Sequence, residues 1–437
     1  MDVRRNRIEV TPSAGRLTSS LRDIGYDFES AVADLVDNSI SAGARRIEID
    51  LVHADADSYV LIADDGEGMS ETDLTEAMRF GTRRGYAGAD LGKYGLGLKT
   101  ASLSQCRRLT VVTRTAPNQR RVRMRTLDLD HVASTDRWEI HDGPPDHRAA
   151  WAGHVLELVG RGPGTVVIWD RLDRLFPDSG PSSGWAKRRL SALSRSLLDH
   201  LGMVFHRFIE GTAAAALDAP LVITINGEKV APWNPFAPDE VETIALSRRH
   251  FEVAVSGAAC ELTLTPFVLP ARSLFSSAEA FERMSGPAKW NRQQGLYIYR
   301  SDRLVQSGGW SGIRAIDEHT KLARAALDFG PELDDLFRIN VAKMRVSLPS
   351  EIRALLEIEV GALCKRAQAM YRREQRAEEG VGRPAGPKSR PREQSVLPEL
   401  SASLMAAAIA TGTSTELLRI VDYLRAAEPE LVSQLGW

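Results

Sequence analysis

Three motifs of acidic, amide and glycine residues lie within residues 34 to 102 and constrain this chain more than any other feature. The first runs from Asp34 to Asn38, the second from Asp64 to Met69, and the third from Gly92 to Lys99. In order, they are an acid and an amide one helical turn apart, an acid that ends an apolar run before Gly-x-Gly, and glycines that precede a helical pattern. The motifs therefore predict polar groups gathered at the ends of regular elements.

The first motif lies in a segment with a helical repeat. Apolar residues recur at the spacing of one helix face from Phe28 to Ile40, and Gly43 is a C-terminal stop signal. Asp34 and Asn38 are four residues apart, so both side chains leave the same face of the helix. This face is either solvated, as on most surface helices, or functional. In the functional interpretation Asn38 offers an oxygen to Mg²⁺, and Asp34 orients or deprotonates a water molecule.

The second and third motifs suit a nucleotide as well as ordinary turns. Asp64 is either part of a hairpin turn or a carboxylate at a buried strand end, where it accepts a hydrogen bond from an amine such as that of adenine. Gly66 and Gly68 let a base approach the backbone closely. Glycines before a helix expose N–H groups to phosphate oxygens and Lys99 adds a charge, although such loops are also common as structural turns.

Composition indicates an ordinary soluble protein of two or three domains. The chain has 437 residues, 43% of them hydrophobic, with a formal net charge of -2. Any contact with DNA must therefore come from local basic patches. Its three cysteines are far apart in sequence, which favours a reducing cytoplasm over a disulfide framework or a zinc cluster. We find no apolar signal sequence and no run of about 18 apolar residues, so we expect neither secretion nor a membrane span.

Short β-rich runs and helical segments alternate along most of the chain. The runs predict an α+β domain in which a mixed sheet is covered by helices on one face. Strands are predicted at residues 46–52, 59–63, 109–114, 121–127, 155–158 and 165–170. A helical pattern follows at 185–209, then a strand, an Asn-Gly turn and a returning strand at 221–230, a β-like segment at 295–305 and a helix from about 350 to 378.

The order of the three motifs resembles the N box and two glycine boxes of the GHKL (Bergerat-fold) ATPases, the superfamily of gyrase B, the 90-kilodalton heat-shock chaperone, histidine kinases, MutL and MORC. This resemblance implies a domain that binds and hydrolyses ATP with Mg²⁺. It implies that Asn38 binds magnesium, that Asp64 binds adenine and that Asp34 is the general base. The other cofactor-binding residues that it implies are Gly66, Gly68, Met69, Thr82, Arg84, Gly95, Leu96, Gly97, Leu98, Lys99 and Thr165.

One residue departs from the family pattern at a sensitive position. The usual general base is Glu, whereas Asp34 withdraws the carboxylate by one methylene, or about 1.5 Å. A misplacement of about 1 Å can slow a hydrolytic step on the order of 100-fold. Slow turnover is therefore expected.

Within the superfamily, the chain looks most similar to MORC and MutL. Residues 71–91 resemble their ATP lid. Residues 201–209 with 223–230, and residues 295–304, resemble parts of their ribosomal-S5-like transducer domain. Arg338 to Lys343 is similar to the transducer segment whose lysine reaches the ATP γ-phosphate, which makes Lys343 the second catalytic candidate. The alternative is a solvent-exposed lysine that follows a strand.

The resemblance and the composition together predict four parts. These are an ATP-binding domain at residues 1–214, an S5-like transducer with a C-terminal helix at 215–378, a flexible linker at 379–396 and a small helical tail at 397–437. The linker is predicted from its Gly, Pro and basic residues.

By resemblance, we expect an ATP-dependent homodimer that acts as a clamp near DNA and resets by slow hydrolysis. Basic segments at 120–125, 187–189 and 372–392 suit DNA, or they are solvated faces. A protein partner for the tail is also expected. An adaptor that binds ATP without turnover is the main alternative. A histidine kinase is disfavoured because the first histidine, His53, follows the N box, and an anti-sigma-type kinase is disfavoured by the transducer.

Overall fold

A computed structural model describes residues 10, 12–23, 25–81, 97–115, 121–143, 149–176, 183–214, 219–255, 258–338, 346–381 and 413–427 of the chain. Two units, Met1–Ala377 and Glu378–Trp437, are distinguished, and each is described by itself. None of the described helices combines the length and the apolar character that a membrane crossing requires.

Eight described strands form the first sheet, in the spatial order β5-β4-β3-β6-β2-β1-β7-β8. Their pairings are antiparallel except for the parallel pair of β1 and β7, so this is the mixed sheet that the sequence predicts. The strands are β1 (Arg46–Val52), β2 (Tyr59–Asp64), β3 (Arg108–Arg114), β4 (Arg123–Asp128), β5 (His141–Asp142), β6 (Gly164–Asp170), β7 (Val222–Ile225) and β8 (Glu228–Lys229).

Helices cover this sheet because its strands alternate buried side chains between two faces. On β2, Val60 and Ile62 pack into the larger core with the helices α2 and α7, whereas Tyr59, Leu61 and Ala63 face the opposite side. The helices are α1 (Ala14–Arg22), α2 (Phe28–Ser41), α3 (Glu71–Ala77), α4 (Gly97–Leu103), α5 (Leu129–Thr135), α6 (Ala152–Gly160), α7 (Ser183–Val204) and α8 (His206–Glu210).

Helix α6 corrects two expectations from the sequence. The strand predicted at residues 155–158 is instead part of this helix, whose buried Val155, Leu158 and Val159 follow a helical spacing. The apolar run at residues 155–158 is too short for its helical period to be recognised in the sequence. Because α6 packs on the face of Tyr59, helices cover both faces of the sheet and not one face alone.

The hairpin of β7 and β8 belongs to the first sheet. Its Asn226-Gly227 turn is as predicted, and β7 pairs in parallel with β1, with Ile47 opposite Ile223. The expected domain boundary near residue 215 comes before this hairpin, whereas sheet membership puts the change between Lys229 and Ile244. A sequence shows that a hairpin forms but not which sheet edge receives it.

The second sheet has six described strands, in the order β10-β11-β14-β12-β13, with β9 paired to β11. Strands β12 and β14 are parallel neighbours, and the other pairs are antiparallel. The strands are β9 (Ile244–Ala245), β10 (Arg249–Val255), β11 (Ala258–Val268), β12 (Gly295–Arg300), β13 (Arg303–Gln306) and β14 (Ala323–Phe329).

Helices pack against this second sheet too, and one long helix closes its core. Ile352, Leu356, Val360 and Leu363 of that helix are buried with the strand residues. The helices are α9 (Ala278–Met284), α10 (Lys289–Gln293) and α11 (Ser350–Val381), with α12 (Ser414–Ala427) in the C-terminal unit. Short 3-10 helices occur at Asp55–Asp57, Arg272–Leu274, Glu318–Thr320 and Pro331–Leu333.

Candidate functional site

Helix α2 carries the first motif and is buried on most of its surface. Asp27 caps its N-terminus by accepting a hydrogen bond from the Ser30 N–H at 2.7 Å. Asp34 and Asp37 are 3% and 0% exposed, whereas Asn38 is exposed. The polar stripe is therefore not a simple solvated face. It carries the solvent-exposed amide of Asn38 beside the two buried carboxylates.

The carboxylate of Asp34 has defined neighbours on both oxygens. The Tyr26 hydroxyl donates a 2.7 Å hydrogen bond to Asp34 Oδ2, and Arg303 Nη2 lies 3.7 Å from Asp34 Oδ1. Burial and the nearby Asp34 carboxylate both raise the pKa of Tyr26, which therefore remains a donor. A Cβ atom added at Gly97 would lie 3.7 Å from Asp34 Oδ2, so Asp34 is next to the start of α4.

Asp64, at the end of β2, is held by three hydrogen bonds. The backbone N–H groups of Gly66 and Thr165 donate to Oδ1 at 3.0 and 3.2 Å, and the Ser39 hydroxyl donates to Oδ2 at 2.9 Å. Burial raises the pKa of Asp64, and these hydrogen bonds oppose that effect. An ionised carboxylate offers about four acceptor positions, so the donors among the described residues leave one position for a further donor.

The turn after Asp64 leads into α3 and not into a returning strand, so the hairpin interpretation is wrong here. Gly68 has a φ of +71°, and an added Cβ atom would lie 2.1 Å from the Arg114 carbonyl oxygen. The next residue, Met69, donates its N–H to Thr113 Oγ1 at 2.9 Å. The two backbones approach each other as only glycine allows.

Thr165 stands beside Asp64 because β6 pairs with β2 in a register that places the two residues opposite each other. Thr113 Oγ1 lies 3.1 Å from Thr165 Oγ1 and donates to the Gly164 carbonyl at 3.0 Å. Thr113 therefore links the turn at Met69 to the Gly-Thr element. The second motif and Thr165 are brought together, as the resemblance implies for the adenine end of a site.

Helix α4 begins at Gly97 and packs against α2. Leu98 packs partly into the core. Lys99 is 1% exposed, and its ammonium donates to the Ala77 carbonyl at 2.7 Å. Burial lowers the pKa of Lys99 to about 8. In this structure Lys99 therefore contacts the end of α3, and the phosphate contact expected for it stays a prediction.

Several predicted site residues lie outside the described part of the chain, so the structure says nothing of them. They are Thr82, Arg84, Gly95, Leu96 and Lys343.

Four residues that the sequence did not single out contact the predicted ones. Ser39 and Thr113 are polar residues inside apolar segments, which is the one signal that marked them. Tyr26 and Arg303 contact Asp34 from eight residues before it and from 269 residues after it. Nothing in the local sequence of Arg303 indicates that contact.

Comparison with known proteins agrees with this geometry. The sequence model of the histidine kinase-, DNA gyrase B- and HSP90-like ATPases matches residues 26–156, which hold Asp34, Asn38, Asp64 and α4. This chain carries a GHKL ATPase domain. Thr165 and the second sheet lie beyond the matched residues of the GHKL domain.

MORC and MutL proteins are among the proteins whose sequences are similar to this chain. The protein "ATPase morc-1" of Caenorhabditis elegans is 35% identical over 85 residues, which are 20% of this chain and 10% of the relative. "DNA mismatch repair protein MutL" from two Klebsiella pneumoniae strains is 25% and 37% identical over 217 residues, 48% of this chain and 29% of each relative. The chain thus spans under a third of each relative's length.

Proposed function

We propose that this protein binds Mg-ATP at the end of the first sheet and hydrolyses it slowly. The observation that carries the proposal is the common location of the exposed Asn38, the buried Asp34 and the start of α4, with a fixed Asp64 in the same domain. The match to an ATPase family over these residues supports it.

The adenine end of the site is formed by Asp64 and its neighbours. Ser39, Gly66 and Thr165 hold the Asp64 carboxylate and leave one acceptor position, which suits the exocyclic amine of adenine. The glycine at position 68 keeps side-chain atoms out of the turn. We infer that these residues select the base.

The phosphate end is assigned to Asn38 and α4. The Asn38 side chain is exposed on α2 and offers a hard oxygen ligand, while ATP phosphates and water supply the others. When bound, Mg²⁺ neutralises phosphate charge. In the described residues no three His, Cys, Asp or Glu side chains form a metal cluster.

Asp34 is assigned as the general base that accepts a proton from the attacking water. Its burial and its place beside the start of α4 support this role. Its short side chain and its hydrogen bond from Tyr26 both favour slow turnover. The same two features favour the second candidate function, an adaptor that binds ATP without hydrolysing it.

We also propose that ATP drives homodimerisation and that the dimer is a clamp on or near DNA. Support comes from the named relatives, a MORC ATPase and a DNA mismatch repair protein. Residues 187–189 of α7 are exposed and basic, whereas Arg125 is paired with Asp142 at 2.5 Å and with Glu71 at 3.2 Å. The α7 patch is therefore the better candidate for phosphate contact.

The second sheet is proposed to be the S5-like transducer, with Lys343 as its γ-phosphate sensor. Residues 379–396 are proposed as a linker and 397–437 as a helical tail that binds a protein partner. In that tail, α12 is the described helix, with Val421 buried and Tyr423 exposed.

Steady-state ATP hydrolysis by wild type and by Asp34→Ala, with and without duplex DNA, tests the proposal. We expect slow wild-type turnover that Asp34→Ala abolishes, while both proteins bind ATP. Equal inactivity with intact binding would instead establish the adaptor. Asn38→Ala should remove the magnesium dependence of ATP binding, and an unchanged affinity would refute the site assignment.

The clamp and its DNA contact need separate measurements. Light scattering should detect a dimer with a non-hydrolysable ATP analogue and a monomer without it. Replacement of Lys187, Arg188 and Arg189 by Glu should weaken binding to duplex DNA and reduce its dependence on salt. Retention of both properties in the triple variant would exclude the α7 patch.

A further inference from the structure

Arg303 extends from the second sheet into the proposed site. It is the first residue of β13, it is 4% exposed, and its Nε lies 2.9 Å from Asp37 Oδ1 and 2.8 Å from Asp37 Oδ2. Its Nη2 lies 3.7 Å from Asp34 Oδ1. One guanidinium from the second sheet thus contacts both buried carboxylates of α2.

The chemistry of this contact favours arginine. Asp34 and Asp37 are three residues apart, so their carboxylates lie on adjacent turns of one helix face. The planar guanidinium presents several donors in a fixed fork, whereas a lysine ammonium is a single flexible point charge. The centre of the Phe205 ring lies 5.9 Å from Cζ of Arg303, and the Leu304 carbonyl accepts a hydrogen bond from Arg303 Nη1 at 3.4 Å. These contacts hold the fork in one orientation.

The neighbouring residue fixes the same hairpin to the first domain. Asp302 is paired with Arg207 of α8 at 2.9 Å and accepts a hydrogen bond from the Ala214 N–H at 2.7 Å. Asp302 and Ser301 form the β12–β13 turn with positive φ angles of 66° and 46°. Consecutive residues of one tight turn therefore contact the first domain, and a displacement of the hairpin would also displace Arg303.

We propose that Arg303 is a positioning residue for Asp34, and that it makes ATP hydrolysis depend on the docked β12–β13 hairpin. The inference rests on the proposed ATPase function. A base that is shortened by one methylene tolerates little further displacement, since about 1 Å can cost on the order of 100-fold in rate. ATP binding depends less on this contact, because Ser39, Gly66 and Thr165 of the first domain hold Asp64.

Arg303→Lys in the full chain tests this inference, with Arg300→Lys as its matched control. Arg300 belongs to the same hairpin, is equally buried at 4% exposed, and pairs with Asp334 of the second domain at 2.6 Å. We expect Arg303→Lys to lower kcat about 10-fold or more and to change ATP affinity less than about threefold. Arg300→Lys should keep kcat within about twofold.

The readouts separate the two proposals. Failure of wild type to bind ATP would refute the proposed function, and binding without turnover would refute hydrolysis together with this inference. If wild type hydrolyses ATP and a folded Arg303→Lys protein has the same kcat as wild type, the inference alone is refuted. Equal losses of kcat in both lysine variants would also refute it. Thermal unfolding with saturating ATP establishes that each variant is folded.

A second variant covers the case in which Arg303→Lys does not fold. Asp302→Asn removes the charge that pairs with Arg207 and leaves Arg303 unchanged. Arg207 retains its pair with Asp328, so this variant should fold. We expect kcat to fall about threefold or more at unchanged ATP affinity, and an unchanged kcat would overturn the coupling.

Discussion

At the residue scale, the candidate site combines carboxylates whose surroundings differ. Asp34 receives a hydroxyl and lies near a guanidinium, whereas Asp64 receives two backbone N–H groups and one hydroxyl. Hydrogen bonds to a carboxylate fix its orientation as well as its charge. These surroundings are consistent with the proposal that Asp64 recognises a fixed partner and that Asp34 acts as the base.

Ser39 provides a residue-scale test of the adenine end. Its hydroxyl holds Asp64 Oδ2 at 2.9 Å, and one lost hydrogen bond to a charged group is worth about 1.5 kcal/mol or more. We expect Ser39→Ala to weaken ATP binding on the order of 10-fold, as measured by titration calorimetry. Ser20→Ala, whose hydroxyl contacts the Arg16 carbonyl in α1, is the control and should bind ATP as wild type does.

The lowered pKa of Lys99 predicts that the stability of the protein depends on pH. Its folded-state pKa is about 8, below the ordinary 10.5, so the unfolded chain binds more protons between these values and stability rises with pH there. We expect the unfolding free energy of wild type to gain about 3 kcal/mol over Lys99→Met between pH 8 and 10.5, measured in urea. The exposed-site variant Lys187→Met should give a curve parallel to wild type. A parallel curve for Lys99→Met would contradict the prediction.

At the element scale, the turn between β2 and α3 closely approaches Arg114 at the end of β3. Sequence patterns predicted β1 at its observed bounds and β2, β3 and β6 within one residue. They failed at α6, because a four-residue apolar run does not distinguish strand from helix. The start of α4 was predicted from its glycines, whereas its contact with α2 came only from the packed structure.

Substitution of Gly68 tests the close approach of the turn between β2 and α3 to β3. An alanine there meets the Arg114 carbonyl oxygen at 2.1 Å and must also keep a φ of +71°. We expect Gly68→Ala to destabilise the protein by about 3 kcal/mol or more, since backbone atoms must move. Gly43→Ala is the matched control: its φ is +72° with nothing within 4 Å, so it should cost only about 1 kcal/mol. Equal losses in the two thermal unfolding experiments would contradict this account.

At the scale of the whole molecule, polar contacts join the two sheets of the first unit. His206 Nε2 lies 2.9 Å from the Tyr299 hydroxyl, and the Arg207 guanidinium lies 3.6 Å from the centre of the Tyr299 ring. Arg207 also pairs with Asp302 and Asp328 of the second domain. Burial and ion pairing of this kind specify one arrangement of the domains, because each charge needs its partner.

Arg207 is the test at this scale. Arg207→Ala leaves two carboxylates without their guanidinium, and breaking a largely buried pair costs about 3 kcal/mol. We expect this loss in urea unfolding. Arg161→Ala, which removes exposed pairs with Glu48 and Glu157, should cost less than about 1 kcal/mol. Similar losses for both variants would show that Arg207 does not join the domains.

The sequence by itself determined most of the local elements and the resemblance of the motifs to those of GHKL ATPases, because helical periods, turn residues and motif spacing are local properties. Only the tertiary structure decided which groups meet. The hairpin of β7 and β8 joins the first sheet, α6 covers its second face, and Arg303 contacts Asp34 across 269 residues. Such contacts depend on how sheets and helices pack, and no local pattern encodes the partner of a buried charge.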